Sequence, residues 1–214
     1  NINKLINYVS KVEYNTISDL LKSQNKKDSI VNFDINSQKK IFLVPLKKNI
    51  KSFEIQNLGA ELFKLSLNTK HKQYFIISDS IYGHFKNLVG HFVHGFRLKS
   101  YKFEKYKTNK NKKKISIIVT GKNIPSNKDR IKFEAIEEGT FYARDLVSEP
   151  GNVLHPDEYA KRLVSLKKHG LKVSIYDEKK LKKLGMNTLL GVGQGSVRGS
   201  YLVTMEWNGL KDKS

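Results

Sequence analysis

No cysteine occurs in the sequence, which excludes disulfides and any thiolate-bound metal and fits a reducing compartment. Long apolar runs are also missing. None approaches the length needed to cross a bilayer, and the first residues carry no secretory pattern, so no membrane partner is expected. Acidic residues are scarce, 20 Asp and Glu against 40 Lys and Arg, for a formal net charge of +20. Such a surface attracts nucleic acid over long range. The excess is nearly all lysine, however, and the arginines are confined to Arg97, Arg130, Arg144, Arg162 and Arg198. Dedicated phosphate readers lean on the planar guanidinium fork. Solvated lysine faces are therefore favoured, with weak nucleic-acid binding as the alternative.

What is present is an alternation of strands and helices across 214 residues, enough for one full domain and part of another. Leu5 to Val12 reads as a strand and Ile17 to Lys22 as a short helix, followed by a polar loop, Ser23 to Ser29. Ile41 to Leu46 is a compact apolar run bounded by lysines, a buried strand with Pro45 near its end. Ser52 is positioned to cap a helix running to Leu67, with Ile55, Leu58, Leu62 and Leu65 at helical spacing. Tyr74 to Ile77 is the next strand, Ile81 to Lys99 a helix, Lys107 to Lys114 a lysine-asparagine loop, and Ile115 to Val119 a third strand. This order predicts an α/β fold with a largely parallel sheet and helices against it.

From Arg130 the residues Phe133, Ile136, Thr140, Ala143 and Val147 recur at three-four spacing, the stripe of a long amphipathic helix. Pro150-Gly151-Asn152 stops it, and Pro156 opens a new helix with Asp157 and Glu158 against its positive end. Gly170 ends that helix, Leu171 to Tyr176 is a strand, and Asp177 caps a short helix through Leu184 that Gly185 terminates. Thr188 to Val192 and Tyr201 to Glu206 read as two further strands joined by a glycine-rich loop. The tail from Lys211 is polar.

Three clusters invite a chemical reading. Gly191, Gly193 and Gly195 do not have the Gly-x-Gly-x-x-Gly spacing of a dinucleotide loop, and the segment reads as a tight crossover where glycine permits positive φ. His84, His91 and His94 share one helix side, but no Asp, Glu or Cys joins them at helical spacing, so they read as a half-exposed polar edge. His71, His155 and His169 are isolated. Glu134, Glu137, Glu138, Asp145 and Glu149 line the long helix, where Arg130 and Arg144 make surface ion pairs the expected role. Ser148 has no histidine nearby in sequence to make it a nucleophile. These residues supply no catalytic constellation.

The run ARDLVSEPGNVLHPDEYA resembles the segment joining the two domains of the leucyl, or cytosol, aminopeptidases. LGMNTLLGVGQGSVRGSYLV, Leu184 to Val203, is similar to the part of their catalytic domain just before the metal-binding segment. FRLKSYKFEKYKT, Phe96 to Thr108, is similar to a run in their N-terminal domain. His155 departs from the small polar capping residue usual in the family.

The resemblance implies a three-layer α/β N-terminal domain over residues 1–128, a connecting helix over 129–150, and the first βα units of a truncated peptidase catalytic domain over 151–214. The boundary falls in the Glu149 to Leu154 loop. It also implies a cytoplasmic hydrolase, a metalloprotease that forms a homo-hexamer and removes N-terminal residues, preferentially leucine, from peptide substrates. Two divalent ions, manganese or zinc, activate water and polarise the carbonyl in such enzymes. Their ligands are a lysine, aspartates and a glutamate, with a further lysine and an arginine stabilising developing charge. Nothing in this sequence matches the segments that carry those groups. No catalytic, cofactor-binding or metal residue is therefore assigned, no metal is expected to bind specifically, and the chain alone is expected to be inactive. Some family members bind DNA, which keeps a non-catalytic basic module open beside the enzyme reading. A decayed gene product, prone to aggregate through uncovered apolar surface, is the third.

Overall fold

The computed structural model describes residues 2–23, 29–81, 87–109 and 114–209. His84, the first turn expected for the 81–99 helix, most of the 23–29 loop, part of the 107–114 loop and the tail from Lys211 lie outside the described residues. By contacts the chain divides into two compact units, Asn1–Tyr142 and Ala143–Ser214.

The first unit begins with a 3-10 turn, Asn3–Asn7, and helix α1, Lys11–Ser23. This replaces the strand expected over Leu5 to Val12. The cause is a capping box: the Glu13 amide donates to Ser10 Oγ at 3.2 Å and the Ser10 amide donates to the Glu13 carboxylate at 2.6 Å. Strands β1 (Val31–Asp34) and β2 (Lys40–Leu43) form an antiparallel hairpin in which Phe33 faces Ile41. Its turn is closed by Asn36, whose side-chain oxygen accepts from the amides of Gln38 and Lys39 at 2.9 and 2.8 Å. Strand β2 stops before Pro45.

Helix α2, Ser52–Leu67, starts one residue earlier than a Ser52 cap implies, because Lys51 holds the cap position and its amide donates to the Glu54 carboxylate at 2.8 Å. Strands β3 (Gln73–Ile77) and β4 (Ser116–Thr120) pair in parallel, with Tyr74 beside Ile117 and Ile76 beside Val119. Helix α3, Leu88–Ser100, lies between them in sequence. Ile55, Leu58, Leu62 and Phe63 of α2 bury against Leu88, Phe92 and Phe96 of α3, with the Phe63 and Phe96 rings edge to face at 5.1 Å. Gly59 and Gly95 set the closeness of this crossing. A Cβ on Gly59 would meet the Phe92 carbonyl, and one on Gly95 would meet the backbone of Gln56.

Helix α4, Asn127–Ser148, spans 22 residues. It is introduced by Ser126, whose hydroxyl oxygen accepts from the Asp129 amide at 3.2 Å.

In the second unit, α5 (Pro156–Val164) has proline at its start. A 3-10 turn follows to His169, and Gly170 ends it at φ 91°. Strand β5 (Lys172–Tyr176) leads to α6 (Glu178–Lys183), where Asp177 accepts from the Lys180 amide at 2.9 Å. Ala160, Leu163, Val173 and Leu181 form the buried apolar side of this unit. Helix α7, Asn187–Gly193, stands where a strand over Thr188 to Val192 was expected, and β6 (Leu202–Glu206) pairs antiparallel with β5. A short apolar run does not by itself distinguish helix from strand.

The α/β class holds. In place of one largely parallel sheet, the described residues contain three two-stranded ladders, of which only β3–β4 is parallel. The difference follows from the connections. The five residues between β1 and β2 allow only a hairpin, whereas β3 reaches β4 through a helical crossover.

Candidate functional site

The second unit carries a groove of about 460 Å³ lined by Leu154, Pro156, Tyr159, Leu163, Val203 and Met205, with His155 and Tyr201 at its edge. Local sequence positions each wall. Pro150 accepts the Val153 and Leu154 amides, both at 2.9 Å, which turns the chain into α5. The 3.6-residue repeat then puts Tyr159 and Leu163 on one helix side, and the two-residue repeat of β6 puts Val203 and Met205 on one sheet face.

Beside this groove, Glu149 is paired rather than solvated. Its side chain is 2% exposed, and Arg162 NH1 lies 2.7 Å from its Oε1 while Arg162 Nε donates to Glu158 Oε1 at 2.8 Å. The two carboxylates hold the guanidinium's pKa above its ordinary value, first through the Glu158 hydrogen bond and then through Glu149. The Glu158 carboxyl is lowered in turn, chiefly by its bond from Arg162. Thus the Glu149 side chain is buried in an ion pair with Arg162 instead of lying on a solvated surface row. Arg162, from α5, is one partner of that carboxylate. His155 Nδ1 contacts Asp157 Oδ1, and Arg198 lies 3.7 Å from Asp157 Oδ2.

The glycine-rich segment follows a helix rather than joining two strands. Gly191 and Gly193 are the last part of α7, and none of Gly191, Gly193, Gly195 and Gly199 adopts a positive φ. A dinucleotide loop, which opens a helix at its N-terminus, is the reverse arrangement.

The histidine and glutamate clusters meet in the first unit. His94 is buried, and its Nδ1 lies 2.8 Å from Oε1 of Glu137, also buried. Arg97 NH1 donates to Glu137 Oε2 at 3.2 Å and to Glu134 Oε1 at 3.3 Å. The Phe133 ring sits 5.0 Å from both the His91 and the His94 ring. The half-exposed histidine edge and the solvated glutamate row therefore both fail at these positions. Each supplies the other's missing partner, across 43 residues of sequence.

Among the described residues no group of three or more His, Asp and Glu side chains is arranged to hold a metal ion. His94 and Glu137 are committed to one another and to Arg97. The described residues thus do not fit a two-ion centre, and the groove lining is mainly apolar, with His155, Tyr159 and Tyr201 as its polar groups. No described helix is long and apolar enough to cross a membrane.

The fold itself identifies a class. Two structures of the bottromycin maturation enzyme BotP, one in complex with Mn, superpose with TM-scores of 0.71 and 0.69. Each is 19% identical in sequence, and the match covers 86% of this chain and 40–41% of theirs. This likeness establishes a shared α/β architecture. The sequence comparisons go further. The profile of the cytosol aminopeptidase family, catalytic domain, matches residues 141–214. A probable cytosol aminopeptidase of Brucella anthropi is 46% identical over 128 residues, covering 56% of this chain and 26% of that protein. One from Caulobacter vibrioides is 46% identical over 125 residues, covering 56% and 25%. Both findings support a relation to the cytosol aminopeptidase family, and the match spans about a quarter of the length of these relatives.

Proposed function

We propose that this chain is part of an aminopeptidase that releases N-terminal residues, leucine and similar apolar ones preferentially, from peptides. The match of residues 141–214 to the family's catalytic domain carries this reading. On it, the whole protein is a cytoplasmic homo-hexamer using two divalent ions, manganese or zinc, which would activate water and polarise the scissile carbonyl. The residues described here contribute framework: the Glu149–Arg162–Glu158 pairing fixes the entry into α5, and β5–β6 forms part of a sheet wall. They do not supply the reacting groups. The test uses protein recovered from its natural source with an antibody against this chain. Hydrolysis of leucyl amide that a chelator abolishes and manganese restores supports the reading. No hydrolysis under any of these conditions overturns it.

A second reading rests on a specific feature of the first unit. Between Lys99 and Lys107, exposed lysines alternate with aromatic rings. Phe103 and Tyr106 lie 5.8 Å apart, Tyr106 is 54% exposed, and Lys105 Nζ sits 5.5 Å above its ring. Lysines with a stacking surface suit a single-stranded nucleic acid. Affinity that falls steeply with added salt supports this reading, and a flat salt response contradicts it.

A further inference from the structure

Of the 22 residues of α4, Glu137 is the one that is buried. A helix normally docks through an apolar stripe. This one turns Ile131 and Ile136 outward, 59% and 45% exposed, and inserts a carboxylate. What holds it is a set of polar and aromatic contacts from α3. Glu137 accepts from His94 and Arg97, Glu134 accepts from Arg97, and Phe133 packs on the two imidazoles. On the far side of His91, Gln56 Nε2 of α2 lies 3.1 Å from His91 Nδ1. The amide donates there, so Nδ1 must carry its lone pair and His91 is neutral in this arrangement.

We propose that these contacts form a proton-sensitive clasp, which holds α4 against α3 at neutral pH and loosens when His91 takes up a proton. Three features make a charge on His91 unfavourable. A protonated Nδ1 repels the Gln56 amino group it now accepts from. The groups nearest the ring include His94 on α3 and Lys132 on α4, both of which disfavour a second cation. Phe133, against which the edge of the ring packs, replaces water that would solvate the charge. The carboxylates of the cluster, Glu134 and Glu137, are engaged by Arg97 and His94.

Burial, followed by His94 and Lys132, holds the His91 pKa below its ordinary value of 6.5. The unfolded chain or the undocked helix therefore binds the proton more readily. Stability of the docked state is full above 6.5 and falls as the pH drops below it.

Hydrogen exchange on the full chain tests this, at about pH 7 and about pH 5.5, on either side of the imidazole range. After correction for intrinsic rates, the α4 amides from Asn127 to Tyr142 are expected to exchange roughly threefold faster, relative to those of α2, at the lower pH. His91→Gln keeps an acceptor for Gln56 but cannot be protonated, and it is expected to abolish the acid response. His94→Gln is expected to weaken protection at both values while leaving the response. Equal α4 protection at the two values in the unmodified protein overturns the proposal, as does an acid response that survives in His91→Gln. Should that variant not fold, the His91 imidazole resonance decides. Titration below 6.5, in step with the Phe133 ring signals, supports the clasp, and titration at or above that value overturns it.

Discussion

Helices α3 and α2 are locked together by absence of side chain, whereas α3 and α4 are held by charge. At the first contact, Gly59 and Gly95 let two backbones touch, and the surrounding leucines and phenylalanines exclude water. At the second, the one buried residue α4 contributes is Glu137, and its partners are an imidazole and a guanidinium. The first arrangement tolerates almost no change of shape, because close-packed backbone cannot yield. The second tolerates change of shape but not of charge, since a buried carboxylate without its partners loses solvation it does not regain. One unit thus contains a rigid pair and an adjustable third helix.

The contrast can be broken most forcefully at the glycines. Gly59→Ala is expected to destabilise the protein by about 3 kcal/mol despite alanine's better helix propensity, because the methyl must displace the Phe92 backbone. Urea unfolding followed by circular dichroism measures it, and a neutral outcome would mean the helices are not so close. Glu137→Ala comes next, at about 2 kcal/mol, since it strands His94 in the interior while Arg97 retains Glu134 and solvent. The comparison sharpens if Glu137→Gln recovers part of that loss, as an amide oxygen still accepts from His94. Ser10→Ala removes only a helix cap and is expected to cost about 1 kcal/mol, with no change in the behaviour of α4.

Much of the rigid region was legible in the sequence, and the adjustable region was not. The α2 repeat of Ile55, Leu58 and Leu62, the strand runs at 74–77 and 115–119, the Pro156 start and the Asp177 cap are local signals that appear within a residue of expectation. The buried strand expected over 41–46, in contrast, ends at Leu43 and is half-buried. Two misreadings were avoidable. The Ser10-to-Glu13 capping box announces α1, and the stripe assigned to α4 included Ile136 and Val147, which are 45% and 86% exposed. Phe133, which belonged to that stripe, does face α3, but the buried residue beside it is Glu137, four positions on. Other features lay beyond sequence reasoning. Nothing local tells that Glu137 meets His94, or that Glu149 meets Arg162, because partner choice depends on how helices pack. The apolar run at 188–192 is equally consistent with a strand until its own backbone bonds are seen.

For function, the informative signal was the matched run from the end of α4 through β6, which relates the chain to a peptidase family. Calorimetric titration of manganese into the purified chain tests that account most directly. The account predicts no stoichiometric uptake, since among the described residues no three acidic or histidine side chains converge to hold an ion. One or two ions bound per chain with micromolar affinity would contradict it, and would place a metal centre within these 214 residues.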